Sequence, residues 1–381
     1  MNFSLSEEQR EMHKATIAFA KRELAGNVRA REEKREFHWE GWRKCAEFGI
    51  HGLPMPEEYG GMGLDLLTCV VAMEALGYAC EDHGLLFAIN SNIWTCEFPI
   101  LKFGSDEQKQ RYLPGLINGS LVGGHAMTEP NAGSDAFGIK CRAERMGDQY
   151  LLNGTKMFIT NAPIADLLLV FAVTDPQKDY AGISAFIVER NTPGFAVGKS
   201  EDLMGLKTCP IGEVILKDCI IPESCRLGKE GAGAGIFNAE MELERSCLFA
   251  THLGAMERQL EQCIAYANER TQFGRKIGDN QAISNKIALM KVRTELSRLI
   301  LHKVAWMKSE GQRAPIESAI SKFYTSESYV QNSLASLHIH GAYGYSTEFG
   351  FERQVRDSIA GRIYSGTSEI QLNFISKFLG I

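Results

Sequence analysis

The 381-residue chain has no C-x-x-C pair among its ten cysteines, no excess of basic residues, and no uninterrupted apolar run near membrane length. Each absence excludes a class. Cysteines scattered from Cys45 to Cys263 without paired spacing indicate neither a zinc site nor a disulfide framework, and read as buried free thiols. A formal charge of −6 argues against a nucleic-acid binder, which needs clustered Lys and Arg to neutralise phosphate. The densest charged stretch, Lys21 to Lys44, mixes both signs and reads as a solvated helix face. A bilayer span needs roughly 20 apolar residues, and none is present. The opening MNFSLSEEQR has neither an apolar signal core nor the Arg-rich character of a transit peptide, so a cytoplasmic protein is expected.

Several catalytic motifs are also missing. There is no G-x-S-x-G and no Walker loop, which counts against a serine hydrolase or a nucleoside triphosphatase. GAGAG at Gly231 to Gly235 fails as a dinucleotide fingerprint, because the third glycine position falls on Ile236 or Asn238. These glycines read instead as a loosened backbone ahead of a helix. His338 and His340 resemble an H-x-H pair, but no carboxylate or thiol follows at ligand spacing, and no metal is expected.

What is there is an ordinary globular composition, 44% hydrophobic and 23% charged, long enough for two or three domains. Residues 1–120 read as helices, with capping boxes at Ser6/Gln9 and Ser105/Gln108, interrupted by a Gly- and Pro-rich loop from Gly52 to Asp65. Residues 121–228 change to short strand-like runs such as DLLLVFAV and GISAFIVER, with Asn153-Gly154 as a candidate type I′ hairpin turn. Residues 229–381 return to helical periodicity. No internal repeat or low-complexity segment interrupts this order.

In FNAEMELERSCL, Phe237, Met241, Glu244 and Leu248 share one helical stripe. Arg245 points elsewhere, and Glu240 and Glu242 can sit on other faces. Two readings of Glu244 stand side by side. A Glu at a stripe edge is most often solvated or paired to a distant cation. A buried one has its pKa raised toward the range of a general base.

Six further segments carry a resemblance: PEEYGG at Pro56 to Gly61, AMTEPNAGSD at Ala126 to Asp135, KMFITN at Lys156 to Asn161, ERTQFGRKIGDNQ at Glu269 to Gln281, HGAYGY at His340 to Tyr345 and YSGTSEIQ at Tyr364 to Gln371. Together they are similar to the acyl-CoA dehydrogenase family over essentially the whole chain. The resemblance implies an α+β fold with an N-terminal helical domain, a middle β-barrel domain and a C-terminal four-helix bundle. It also implies FAD, with proton loss from the carbon α to a thioester carbonyl as hydride leaves the β carbon. Carried over, Met127 and Thr128 would meet the flavin, and Ser134 would lie near both pyrophosphate and substrate. Gly133 would permit close backbone approach. Phe158 and Thr160 would flank the ring; Phe158 stands where Trp is frequent, keeping the stacking surface and losing the indole donor. Arg270, Phe273 and Gln281 would reach the cofactor of a neighbouring subunit, in a homo-oligomer such as a homotetramer. His338 stands where many relatives have Gln, with Gly341 in the turn that follows, and Thr367 and Glu369 match cofactor-contacting positions. Met241, Arg245, Tyr364 and Ser365 would line the substrate.

Most family members read Y-E-G-T where this chain has Tyr364, Ser365, Gly366 and Thr367, and that Glu is their base. A Ser hydroxyl without a strong base beside it cannot replace it. A minority, including isovaleryl-CoA dehydrogenase, carry the base in L-E-R on a helix, which Leu243, Glu244 and Arg245 match. The resemblance therefore favours Glu244 as the base. The backbone donor to the thioester oxygen would come from Glu244 or from its counterpart Ser365. FITNAPIAD, EGAGAGIF and IYSGTSEIQ further resemble the prolyl-carrier-protein dehydrogenases and oxidases within the family. L-proline on an acyl or peptidyl carrier protein is then the expected substrate, with an electron-transfer flavoprotein or oxygen as acceptor. A short branched acyl-CoA dehydrogenase and a non-catalytic assembly module are the alternatives.

Overall fold

In the computed structural model, which describes residues 4–381, the chain runs helices, sheet, helices. The first group is α1 (Glu7–Glu23), α2 (Val28–Lys34), α3 (Trp39–Phe48), α4 (Leu66–Ala79), α5 (His83–Asn92), α6 (Phe98–Phe103) and α7 (Asp106–Ile117). Both expected capping boxes form: Ser6 accepts from the Gln9 N–H and Ser105 from the Gln108 N–H, each Gln returning a bond to the cap. A π-helical turn, Ile93–Glu97, joins α5 to α6.

The strands are β1 (Gly123–Ala126), β2 (Arg142–Met146), β3 (Gln149–Thr160), β4 (Leu167–Val173), β5 (Ile183–Glu189), β6 (Phe195–Ser200), β7 (Ile211–Pro222) and β8 (Arg226–Leu227). They form one eight-stranded sheet in the order β6-β7-β3-β2-β4-β5-β8, with β1 parallel to β4. LLLVFAV is apolar without alternation because both faces of β4 are covered. Leu167, Leu169 and Phe171 join the core shared with the helices, while Leu168, Val170 and Ala172 enter the core between strands.

Asn153-Gly154 is not a hairpin turn. It lies inside β3, where the register against β7 shifts between Leu152 and Gly154 and the Gly154 backbone is extended. The Asn153 side chain bonds the opposite strand, accepting the Asp218 N–H at 2.8 Å and donating to Asp218 Oδ1 at 3.3 Å. A Cβ at Gly154 would meet the Cys141 backbone at 2.8 Å, so the glycine serves packing at a bulge. The turn into β3 is made by Gly147, at φ 66°, and Asp148.

The second helical group is α8 (Gly233–Cys247), α9 (Phe249–Glu269), α10 (Gln281–Ser309), α11 (Pro315–His340), α12 (Ala342–Tyr345), α13 (Phe351–Ala360) and α14 (Ser368–Phe378). A small hairpin, β9 (Thr271–Gln272) with β10 (Arg275–Lys276), links α9 to α10. One apolar cluster runs from α1 through β4 and β5 to Leu301 and Ala305 of α10, so the two helical groups and the sheet share a core. All ten cysteines are unpaired, and all but Cys225 are buried.

Helices α4 and α9 cross with their backbones in contact. A Cβ at Gly77 would lie 2.1 Å from Thr251 O, and one at Gly254 would lie 1.9 Å from Glu74 O. Gly254→Ala is expected to destabilise the protein by about 1–3 kcal/mol through overpacking, seen as a lower melting temperature. Gly235→Ala, where nothing lies within 4 Å, is the control that should not lower it.

Candidate active site

The site is built on α8, and the glycines ahead of it place that helix. Gly231 sits at φ 80° and donates its N–H to Ser184 Oγ at 2.9 Å. A Cβ at Gly233 would meet Ile183 O at 2.7 Å, so the helix starts against β5. The role of GAGAG is structural, as expected, but through close approach to the sheet rather than loosening, and the helix already begins at Gly233.

Three of the four residues of the stripe read from the sequence are buried, Met241 at 5% exposed, Glu244 at 8% and Leu248 at 1%, and Phe237 is half-buried. Oε2 of Glu244 has no hydrogen-bond partner and is shielded from solvent. Burial raises the Glu244 pKa, opposed by the charge of His125, the Ser365 hydroxyl, Arg245 and Lys322. The solvated reading of Glu244 fails on these facts. Glu242 does face away, taking Lys308 and the Ala314 N–H as partners. Glu240 does not. It lies one turn before Glu244, is fully buried, and has His125 Nε2 2.8 Å from its Oε1.

The Tyr364–Thr367 loop meets α8 from the far end of the sequence. Ser365 and Gly366 both take left-handed backbone, at φ 56° and 85°. The loop is pinned from two sides: Arg245 Nε donates to Ser365 O at 3.0 Å, and Gln371 Nε2 donates to Ser365 O at 3.2 Å and to Gly366 O at 3.0 Å. A non-glycine residue in this conformation carries strain, and the three bonds hold it there. Arg245, expected at the substrate, thus has an internal task as well. Thr367 caps α14 by accepting the Ile370 N–H at 3.3 Å, which leaves Glu369 exposed in its first turn. Tyr364 places its hydroxyl 2.9 Å from His252 Nε2 and its ring 4.6 Å from Phe87. Residues 120 apart in sequence therefore converge, and the Ser365 hydroxyl lies beside the Glu244 carboxyl.

A second surface leads from β1 into β3. Lys156, fully buried, donates to Met127 O at 3.0 Å and pairs with Glu129 at 2.8 Å. Glu129 also accepts the N–H groups of Lys140 and Cys141 at 2.7 and 2.9 Å. This network fixes the loop that carries Thr128 and Ser134. The sequence reading missed it, although both residues lie in quoted motifs. Thr128 is tied to β3 by the Met157 N–H, which donates to its carbonyl at 2.9 Å. Next to that bond the register of β3 shifts, and Phe158 stands out at φ 57° with 54% of its surface exposed. Met127, expected at the flavin, is buried, and its carbonyl is taken by Lys156. Gly133 meets nothing within 4 Å of a built Cβ and is open to a ligand. An exposed aromatic ring on strained backbone, with half-buried Thr160 two residues on, half-buried Thr128 tied to the adjacent Met157 and Ser134 exposed, fits a flat tricyclic cofactor.

The remaining residues expected at the cofactor lie elsewhere. Arg270, Phe273 and Gln281 sit on the β9–β10 hairpin and at the start of α10, all exposed, with Phe273 99% exposed. His338 is exposed in the last turn of α11, and Gly341 ends that helix at φ 59°, ψ −128°, a conformation suited to glycine. His340 is buried, stacked 3.8 Å from the Phe351 ring.

Three domain families match in chain order: acyl-CoA dehydrogenase N-terminal domain over residues 6–120, middle domain over 124–219 and C-terminal domain over 231–380. The chain belongs to the acyl-CoA dehydrogenase family. It is 43% identical to an L-prolyl-[peptidyl-carrier protein] dehydrogenase of Pseudomonas fluorescens, over 100% of both chains. Among solved structures it is similar to the prolyl acyl carrier protein oxidase AnaB, with TM-score 0.98, 45% identity, and 99% and 100% of the two chains covered. It is also similar to PigA with FAD and proline, with TM-score 0.98, 38% identity, and 100% and 99% covered.

A carboxylate whose pKa is raised by burial is a base only above that pKa, so turnover is expected to rise with pH through it. The Ser365 hydroxyl favours the charged form. Ser365→Ala should therefore shift the acid limb of the pH–rate profile to higher pH while keeping most of the plateau rate. An unmoved limb would separate the two residues.

Proposed function

We propose that this protein is a flavin-dependent dehydrogenase of L-proline held as a thioester on a small carrier protein, converting it to a dehydroprolyl or pyrroline thioester. The observation that carries the reading is the sequestered Glu244 carboxyl meeting the Ser365 loop, in a chain that matches proline-specific relatives along its full length.

Glu244 takes the α proton. A carboxylate out of water, with one oxygen unpartnered, is poised to accept it. FAD, when bound, accepts the hydride from the β carbon, so one proton and one hydride leave and the ring gains a double bond. A backbone N–H of Glu244 or Ser365 donates to the thioester oxygen as charge develops there. Arg245 holds Ser365 in place for that role. Met241 and Tyr364 bound the space for the ring, and Ser134 serves substrate and cofactor together. Thr128, Gly133, Phe158 and Thr160 hold the flavin end, with the main chain of Met127. Electrons leave to an electron-transfer flavoprotein or to oxygen.

The other half of the cofactor site comes from a second copy of the chain. Arg270, Phe273 and Gln281 serve the neighbour's cofactor, with His338, Gly341, Thr367 and Glu369 completing the site. An apolar stripe on α10 supports this: Leu289, Val292, Leu296 and Leu299 recur at helical spacing and are 46–51% exposed, and Trp306 continues it two turns on at 48%. Among the described residues no helix is long and apolar enough to cross a membrane, so that stripe calls for a protein partner.

Mass spectrometry of prolyl-loaded carrier protein should show loss of a hydrogen pair, and a panel of short acyl-CoAs should show none. Reaction of the CoA esters alone would overturn the substrate. Glu244→Gln should keep its flavin and lose substrate-dependent bleaching by roughly 100-fold or more. Bleaching at the parental rate would move the base elsewhere. Leu296→Glu should shift size-exclusion elution toward monomer and lower bound flavin together.

A further inference from the structure

Helix α8 buries two carboxylates on one side, and proton abstraction uses only Glu244. Glu240 is fully buried, and neither of its oxygens has a hydrogen bond. Its companion is His125, held by ion-pair contact at 2.8 Å. Burial pushes the Glu240 carboxyl up to about 7 in spite of the pull of His125. For His125, burial works against charge, but Glu240, with Glu244 beyond it, outweighs that and raises the imidazole. A buried charged couple with unmet hydrogen-bonding capacity is costly unless something else uses it.

The ring of His125 is fixed in place. A Cβ at Gly123 would meet Cys96 Sγ at 2.5 Å and one at Gly124 would meet Thr160 O at 2.7 Å, so β1 is wedged between its neighbours. Phe237 stacks on the imidazole at 5.8 Å, and Phe171 meets it edge-on at 5.1 Å. Nε2 is shielded against Glu240, yet the side chain remains 14% exposed. Its other edge is therefore the part open to a ligand. Glu240 and Glu244 lie four residues apart on α8, so the imidazole that meets Glu240 at 2.8 Å sits one helical turn from Glu244.

In a prolyl thioester the nitrogen is bonded directly to the carbon that loses its proton. Side chains one helical turn apart start about 5–6 Å from each other, so a ring presented to Glu244 brings its nitrogen within reach of the couple beside it. We propose that His125, oriented by Glu240, holds the ring nitrogen of the prolyl group and selects it over acyl groups that lack one. His125 is the contacting residue and Glu240 the positioning residue. The couple and a secondary amine share a proton in either form: a protonated amine donates to the imidazole, and a protonated imidazole donates to the amine lone pair. Glu240 balances the charge in both cases. The assignment rests on the prolyl reading above.

The test compares two carrier proteins, one loaded with proline and one with cyclopentanecarboxylate, a ring of the same size without the nitrogen. The parental holoenzyme should prefer the prolyl form. In His125→Phe, which keeps an aromatic ring beside Phe237, the prolyl-to-cyclopentyl ratio of kcat/KM should fall roughly 10- to 100-fold. Glu240→Gln should lower the same ratio by less, with the flavin retained in both. His125→Gln is read in the same way if the Phe variant loses flavin. An unchanged ratio, whether both substrates slow equally or neither slows, would overturn the role of His125 and leave the prolyl reading standing. A parental enzyme that oxidises short acyl-CoAs but no prolyl carrier would remove the prolyl reading itself, and this assignment with it.

Discussion

The hydrogen bond from Arg245 to the carbonyl of Ser365 joins the two parts of the chain on which the site depends. One side of it is α8, whose adjacent residue is the buried Glu244. The other is a loop in left-handed backbone that would relax without an anchor. With the bond made, the hydroxyl of Ser365 lies beside the carboxyl of Glu244, so the two positions compared in the sequence analysis meet at one point in space. A carboxylate at either position would occupy the same space. Two would repel each other, and one would hold a proton and cease to be a base.

The rest of the architecture serves burial at that point. Helix α8 begins where Gly231 and Gly233 let its backbone touch the sheet, and the core that covers it runs unbroken through β4 and β5. Removing water from a carboxylate raises its pKa, which suits a group that must pull a weakly acidic proton. On the opposite surface, Lys156 and Glu129 form a buried pair that ties the Thr128 loop to β3 and β2. Both sides of the site rest on rigid elements, and Phe158 stands exposed where a cofactor's ring would cover it.

Much of this was legible in sequence wherever the signal is local. The capping boxes at Ser6 and Ser105 formed as read, because a cap is decided within four residues. The shared stripe of Phe237, Met241, Glu244 and Leu248 followed from helical period alone. Asn153-Gly154 misled because the same dipeptide suits a turn or a bulge, and the partner that decides between them, Asp218, is 65 residues away. Glu240, read as able to sit on another face, is four residues before Glu244, and that spacing was the local signal for a shared side. What no local signal carries is its companion, since β1 brings His125 against it.

Sequence by itself determined the order of helices and strands, the family, and the helical stripe on which Glu244 lies. These are set by periodicity, capping and motif, which depend on neighbours along the chain. Only the tertiary structure decided that Glu244 is out of water, that Ser365 lies beside it, and that Glu240 and His125 form a second buried couple. Burial and electrostatic coupling belong to the space between elements, and residues 120 positions apart acquire them only when the chain closes on itself.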